Sequence, residues 1–256
     1  MNGLDLFNLT GRVALVTGGN GGLGKGMALG LAGAGATIVV AARNGQDNAR
    51  AALEIRSLGV AALPVETDVT VEEDVRSTVQ LVVETFGRLD ILVNNAGTAM
   101  RKKPQDYTLE EWDQIMHVNL RSAFLCSREV YPHMKDHGGG KIINIGSMTS
   151  IFGSDWAASY SASKGGLVQL SRSLALAWAE DNIQVNSILP GWFRTDLTDA
   201  IPQRDPERYR HISERIPAGR WGNPLDLRGV VVFLAGSASD YVTGAAIPVD
   251  GGYSVK

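Results

Sequence analysis

The 256-residue chain holds a single cysteine, Cys126, so no internal disulfide can form, and the thiol reads as a buried structural group in a reducing compartment. Its four histidines, His117, His133, His137 and His211, stand at no metal-ligand spacing to the cysteine or to a carboxylate pair. A required metal is not expected. No apolar run approaches the ~20 residues that cross a bilayer, and Met1–Phe7 lack the basic start and apolar stretch of a signal peptide. The expectation is a cytoplasmic protein without a membrane partner. Positive charge is scarce too. The formal net charge is −3, and the only basic run is the short Arg101-Lys102-Lys103, which excludes a general attraction for nucleic acid or anionic lipid.

What the chain has is apolar residue, 44% of the whole, enough to bury a large core. No composition shift, linker, repeat or low-complexity tract divides it, so residues 1–256 are expected to form one domain. Seven apolar, β-branched runs are candidate strands: Val13–Thr17, Thr37–Ala41, Ala61–Glu66, Ile91–Asn94, Lys141–Ile145, Gln184–Leu189 and Ala246–Val249. Longer helical patterns alternate with them. Such alternation predicts an α/β, Rossmann-like doubly wound fold, a seven-stranded parallel sheet with helices on both faces. Thr70-Val71-Glu72-Glu73 and Thr108-Leu109-Glu110-Glu111 have the spacing of capping boxes, and Asn223-Pro224 sets a cap before a proline at the first helical position. The least regular stretch, 194–222, is rich in charge and proline. In this fold it falls near the carboxyl ends of the strands, where ligands bind, and it is expected to act as a mobile lid.

Two local patterns carry chemistry. The first strand runs into Thr17-Gly18-Gly19-Asn20-Gly21-Gly22-Leu23-Gly24 and then a helical segment, placing glycines where backbone N–H groups can approach a pyrophosphate. The second strand ends in Ala41-Ala42-Arg43-Asn44. With no acid there to accept bonds from a free ribose, and with Arg43 able to pair with a ribose phosphate, NADP is expected to be preferred to NAD. A bland alternative makes Arg43 a solvated surface residue. Further on, Tyr160 and Lys164 are four residues apart, one face of a helix, and Ser147 precedes Tyr160 by thirteen. A phenol titrates near ~10, so only about 0.1% is ionised at neutral pH, and a neighbouring ammonium shifts that balance towards the charged form. Taken singly, Ser147 is a turn hydroxyl and Tyr160 a half-buried aromatic with a wet tip.

Together these residues resemble the short-chain dehydrogenase/reductase family along almost the whole chain. The likeness adds Asp68-Val69 after the third strand, Asn94-Asn95-Ala96-Gly97 after the fourth, Asn119 in a helix, and Pro190-Gly191-Trp192-Phe193-Arg194-Thr195 after the sixth. It implies an oxidoreductase that moves hydride between a nicotinamide cofactor and a carbonyl or secondary alcohol. The catalytic positions it implies are Asn119, Ser147, Tyr160 and Lys164. Tyr160 would exchange the proton, Ser147 would hold the substrate oxygen, and Lys164 would lower the Tyr160 pKa and bind ribose. Asn119, through its helix backbone, would hold a water leading from Lys164 to solvent. Cofactor contacts would come from Gly18, Asn20, Gly22, Leu23, Gly24, Arg43, Asn44, Asp68, Val69, Asn95, Ala96 and Gly97. Pro190, Gly191, Phe193 and Thr195 would hold the nicotinamide amide. A homotetramer with dihedral symmetry is the family's implied assembly.

Within the family, late segments such as Ile216-Pro217-Ala218-Gly219-Arg220-Trp221-Gly222 and Val249-Asp250-Gly251-Gly252 are similar to the gluconate 5-dehydrogenase and 2-dehydro-3-deoxygluconate 5-dehydrogenase group. These are scaffold and subunit-contact segments. They imply a sugar acid or polyol as substrate, with the basic run, Arg101 foremost, at the pocket mouth attracting a carboxylate. Trp156, Trp192 and Phe193 are expected along the cleft. An aromatic wall also suits the alternatives, a 3-oxoacyl thioester reductase or a broad-range ketone reductase. A cofactor-binding sensor without catalysis is the remote reading, since it has no need of an intact site.

Overall fold

The computed structural model describes residues 2–195 and 198–256. Seven strands form one all-parallel sheet in the order β3-β2-β1-β4-β5-β6-β7. They are β1 (Val13–Thr17), β2 (Thr37–Ala42), β3 (Ala62–Glu66), β4 (Ile91–Asn94), β5 (Gly140–Ile145), β6 (Ile183–Pro190) and β7 (Ala246–Val249). The predicted runs match these to within one residue at each end. Helices follow as α1 (Gly22–Gly33), α2 (Gly45–Arg56), α3 (Glu72–Phe86), α4 (Leu109–Met116), α5 (Ser122–Asp136), α6 (Ala158–Trp178), α7 (Ile201–Arg204), α8 (Pro206–Arg215) and α9 (Arg228–Ala235).

Strand side chains alternate between two cores because successive Cβ atoms point to opposite faces. Ala14, Val16, Ile38, Val40, Ile91 and Val93 meet α1, α2 and α9, while Val13, Leu15, Val39, Leu92, Ile142 and Val185 meet α3, α5 and α6. A strand buried on both faces has no polar period, which is why the sequence shows continuous apolar runs. Two of the three capping signals hold. Thr108 and Glu111 form a reciprocal box at α4, and Asn223 caps the turn that begins at Pro224. The third does not. Thr70 gives both its N–H and its hydroxyl to the Asp68 carboxylate, at 2.9 and 2.7 Å, and α3 starts behind an uncapped Val71. A nearer acid outcompetes the helix end.

The segment 194–222 is more regular than the sequence suggests. Apart from Asp196 and Leu197, which lie outside the described residues, it contains α7 and α8. The latter starts where the Asp205 carboxylate caps Arg208 N–H ahead of Pro206. Its base is closed by Arg194 N–H to Gly222 O and Gly222 N–H to Trp192 O, both 2.8 Å. No helix among the described residues is long and apolar enough to cross a membrane.

Candidate active site

In an open parallel sheet, ligands bind beyond the strands' carboxyl ends, at the point where the strand order reverses. Here that point lies between β1 and β4, and Asn95 bolts the two together. Its Nδ2 donates to Thr17 O and Gly18 O at 3.0 and 3.1 Å, while the Thr17 hydroxyl accepts from Asn95 N–H and Ala96 N–H at 3.0 Å each. The glycines around this bolt are steric necessities. A Cβ on Gly24 would stand 2.2 Å from Gly18 O, and Gly18 itself sits at φ +62° against the Asn95 amide. The backbone therefore opens onto the first turn of α1, the fit required by a cofactor pyrophosphate.

At the far end of this groove lies a cavity of about 750 Å³ lined by Arg43, Asn44, Gly45, Gln46 and Glu66. Asn44 caps α2, its Oδ1 accepting from Gln46 and Asp47 N–H at 3.1 Å each, so that oxygen is already committed. Asp68 is held below the usual carboxylate range by the two Thr70 bonds, with Arg43 adding a smaller pull. Reading the end of β2 alone found no acid. The register beside it supplies one, because β3 pairs Glu66 with Ala42 and brings its carboxylate into the cavity with Arg43. The residues fit an adenosine ribose phosphate, with one opposing charge at hand.

The candidate catalytic side chains converge from three elements. Asn119 lies in a π-helical turn, His117–Arg121, between α4 and α5. Such turns recur at functional sites. Asn119 is buried and bonded on all sides: its Oδ1 accepts from Thr98 N–H at 2.8 Å, and its Nδ2 donates to Thr98 O at 2.9 Å and Ser163 Oγ at 3.1 Å. Gly97 stands between Asn119 Oδ1 and Lys164 Nζ, which lie 3.3 and 3.5 Å from where its Cβ would be. Ser147 follows β5 and accepts from Thr149 N–H at 3.2 Å, fixing its hydroxyl at the head of a short turn. Tyr160 and Lys164 are both on α6, with Nζ 5.8 Å from the phenol ring centre.

The expected electrostatics of this pair are reversed in part. Loss of hydration raises the Tyr160 pKa, and the Ser147 side chain pulls it down by less. Lys164 does not take that role here. Its ammonium donates to Ile145 O at 2.6 Å and is itself depressed to about 8 by burial, with only 4% of the residue exposed. At neutral pH the tyrosine is therefore a protonated phenol, suited to giving a proton. The lysine, lowered to about 8 by burial, remains mostly protonated there.

Below the site runs a polar chain from Asn94 in which sequence reading gave Asn144, Ser171 and Ser187 no role. Asn94 donates to Asn144 at 2.8 Å, Asn144 to Ser171 at 2.8 Å, and Ser187 to Ser171 at 2.8 Å. These residues lie on β4, β5, β6 and α6 and lock the helix carrying Tyr160 onto the sheet. Polar residues inside otherwise apolar strands were the available signal.

The basic run divides. Lys102 pairs with Glu111, and Lys103 stacks on the Trp156 ring at 5.1 Å. Lys102 also bridges Ala157 in a parallel contact, tying this loop to the start of α6. Arg101 faces Asp205 and Asp155, which support its charge against the partial burial that lowers its pKa. The expected cluster is thus a single arginine with two acids near it. Trp156 is 46% exposed at this mouth. Trp192 sits half-buried in an aromatic group with Trp221, ring centres 5.3 Å apart. Phe193 is corrected outright: its ring is buried in the α1 and α9 core, against Gly222, and forms no part of a pocket wall.

A phenol and a hydroxyl poised over a groove shaped for a dinucleotide are the parts needed to protonate a carbonyl oxygen as hydride arrives, the work of an oxidoreductase of CH–OH groups. Known proteins agree. A family model described as enoyl-(acyl carrier protein) reductase matches residues 18–254. The 2-dehydro-3-deoxy-D-gluconate 5-dehydrogenase of Escherichia coli K12 is 44% identical over 254 residues, covering 99% of both chains. The 5-keto-D-gluconate 5-reductase of the same strain is 39% identical, covering 98% of both. A solved gluconate 5-dehydrogenase from Burkholderia cenocepacia J2315, in complex with NADP and tartrate, superposes with a TM-score of 0.94 at 40% identity, covering 99% of both. The chain belongs to the short-chain dehydrogenase/reductase family.

Proposed function

We propose that this protein is an NADP-preferring dehydrogenase that interconverts a keto and a hydroxy sugar acid of the gluconate type. The observation that carries the reading is the meeting of Ser147, Tyr160 and Lys164 beside the Asn95-braced glycine turn, in a chain similar end to end to enzymes named for keto-gluconates. A bound nicotinamide supplies or accepts the hydride. Gly18, Asn20, Gly22, Leu23 and Gly24 would hold its pyrophosphate, Asp68 and Val69 the adenine, and Asn95, Ala96 and Gly97 the floor. Pro190, Gly191 and Thr195 would line the nicotinamide end, with Phe193 contributing its backbone alone.

In reduction, Ser147 Oγ hydrogen-bonds the substrate oxygen and Tyr160 gives up the phenolic proton as charge develops there. Lys164, its pKa lowered to about 8, returns the proton to the tyrosine, with Asn119 anchoring the turn that leads outward. Oxidation runs the same path backwards. The raised Tyr160 pKa favours reduction at neutral pH, and oxidation gains as pH passes about 8 and Lys164 loses its proton. Arg101 is the residue offered to the substrate carboxylate, with Trp156 and Trp192 as flanking surfaces. Arg43 makes the NADP preference, tempered by Glu66. We further propose one catalytic domain over residues 1–256, a substrate lid built from α7 and α8, and a cytoplasmic homotetramer.

The decisive experiment follows nicotinamide absorbance with NADPH and NADH offered in parallel against keto-gluconates, neutral keto-sugars, a 3-oxoacyl thioester and cyclic ketones. Turnover concentrated on keto-gluconates is expected. A preference for the thioester or the cyclic ketones would overturn the substrate, and light scattering that finds a monomer would overturn the assembly.

A further inference from the structure

Arg215 ends α8, and its guanidinium meets two rings from distant parts of the chain. Its Cζ lies 4.3 Å from the ring centre of Tyr253 and 5.5 Å from that of Phe152. Phe152 follows the Ser147 turn by five residues. Tyr253, only 9% exposed, also reaches Phe152 at 6.0 Å and Trp192 edge-on at 6.5 Å. Three segments therefore converge on one ring: the turn after β5 that carries Ser147, the stretch after β6 that carries Trp192, and α8.

The turn beneath that ring is stiff. The Asp250 carboxylate accepts from Gly252 and Ser254 N–H at 2.9 and 2.8 Å, and Asp250 packs so closely on Gly191 that a Cβ there would stand 2.6 Å from its own. On its other side, Gly251 O accepts from Ala218 N–H at 3.0 Å, and Lys256 Nζ donates to Glu214 O at 2.6 Å. The apolar face of α8, Tyr209 and Ile212, packs with Met148, the neighbour of Ser147, while Arg208 covers Trp192 at 5.4 Å. At its other end the helix is capped by the Asp205 carboxylate, which accepts from Arg208 N–H at 3.1 Å. The helix thus lies beside the Ser147 turn and Trp192, held at its carboxyl end by the last turn of the chain.

We propose that Arg215 and Tyr253 are positioning residues, a clamp by which the C-terminal turn holds α8 beside the Ser147 turn and so sets substrate affinity. The inference rests on reading the Ser147–Tyr160 cleft as the active site. A guanidinium over a desolvated ring, lost, shifts a local opening equilibrium by about three- to tenfold.

The test compares wild type with Arg215→Ala, Arg215→Lys, Tyr253→Leu and Tyr253→Phe. Substrate KM and kcat are read on the best carbonyl substrate, cofactor Kd by NADPH fluorescence, and trypsin cleavage after Arg208 and Arg210 by mass spectrometry. Arg215→Ala and Tyr253→Leu should raise substrate KM and the cleavage rate by about three- to tenfold, with cofactor Kd unchanged. Arg215→Lys and Tyr253→Phe, which keep a cation and a ring, should stay within about twofold of wild type. Unchanged KM and cleavage in the disruptive pair would overturn the clamp, as would an equal loss in kcat and cofactor affinity without a KM change. If wild type turned over no carbonyl, the active-site reading would fall, while cleavage would still decide whether the clamp exists.

Discussion

Replacing Lys164 with methionine should make this protein more stable while abolishing turnover. Burial has lowered the ammonium from 10.5 to about 8, and at about 1.4 kcal/mol per unit that shift costs the folded state about 3 kcal/mol. The Ile145 O hydrogen bond, worth about 1 kcal/mol, is lost in the variant, leaving a net gain of about 2 kcal/mol at pH 7. For a chain of this size that is a rise of about 4–8 °C in Tm. The sign is set by linkage. Because the folded lysine binds its proton less tightly than the unfolded one, the penalty is complete below pH 8 and fades as pH climbs from 8 to 10.5. The variant's advantage should therefore shrink over that range and reverse near its upper end, where wild type keeps its hydrogen bond. Urea unfolding of both proteins at pH 7 and pH 10, followed by fluorescence of the five tryptophans, measures it. A variant less stable than wild type at pH 7, or a gap equal at both pH values, would refute the reasoning.

Three further outcomes are expected. Tyr160→Phe should fold and bind NADPH with wild-type affinity yet lose about 10²–10⁴ in kcat, since the proton donor alone is removed; near-normal rates in purified protein would exclude the phenol from the chemistry. Arg43→Ala should weaken NADPH binding and barely alter NADH, which paired fluorescence titrations can read, and equal losses would make Arg43 a bystander. Gly24→Ala forces a methyl within 2.2 Å of Gly18 O, so cofactor binding should vanish or the protein should fail to fold, whereas Gly21→Ala, with open space around the added carbon, should bind nearly as well.

Much of the architecture was legible because both sheet faces are covered. A strand buried on two sides must be apolar throughout, and that requirement marks its position in the sequence nearly to the residue. Local chemistry was equally plain where one residue type alone suffices, as with Gly18 and Gly24 at the turn, or Tyr160 and Lys164 one helical turn apart. What the sequence left undecided depends on partners far away along the chain. Lys164 bonds a carbonyl nineteen residues back and lies too deep to stay strongly basic, so its influence on Tyr160 is a property of burial, and spacing does not encode burial. Thr70 looked like a cap until Asp68 took its donors. Arg101, Lys102 and Lys103 are one charge cluster as text and go separate ways in space, because Lys102 pairs with Glu111, Lys103 lies over Trp156 and Arg101 is partly buried. Glu66 entered the Arg43 cavity through the register of β3 on β2, and Tyr253 reached α8 and Phe152 only when the chain's last turn docked. Sequence alone determined the layered fold and the identity of the reactive groups, since periodicity and residue chemistry are local. Tertiary structure decided their protonation, their neighbours and the pocket's edges, since hydration and electric fields are set by whatever the fold brings within a few ångströms.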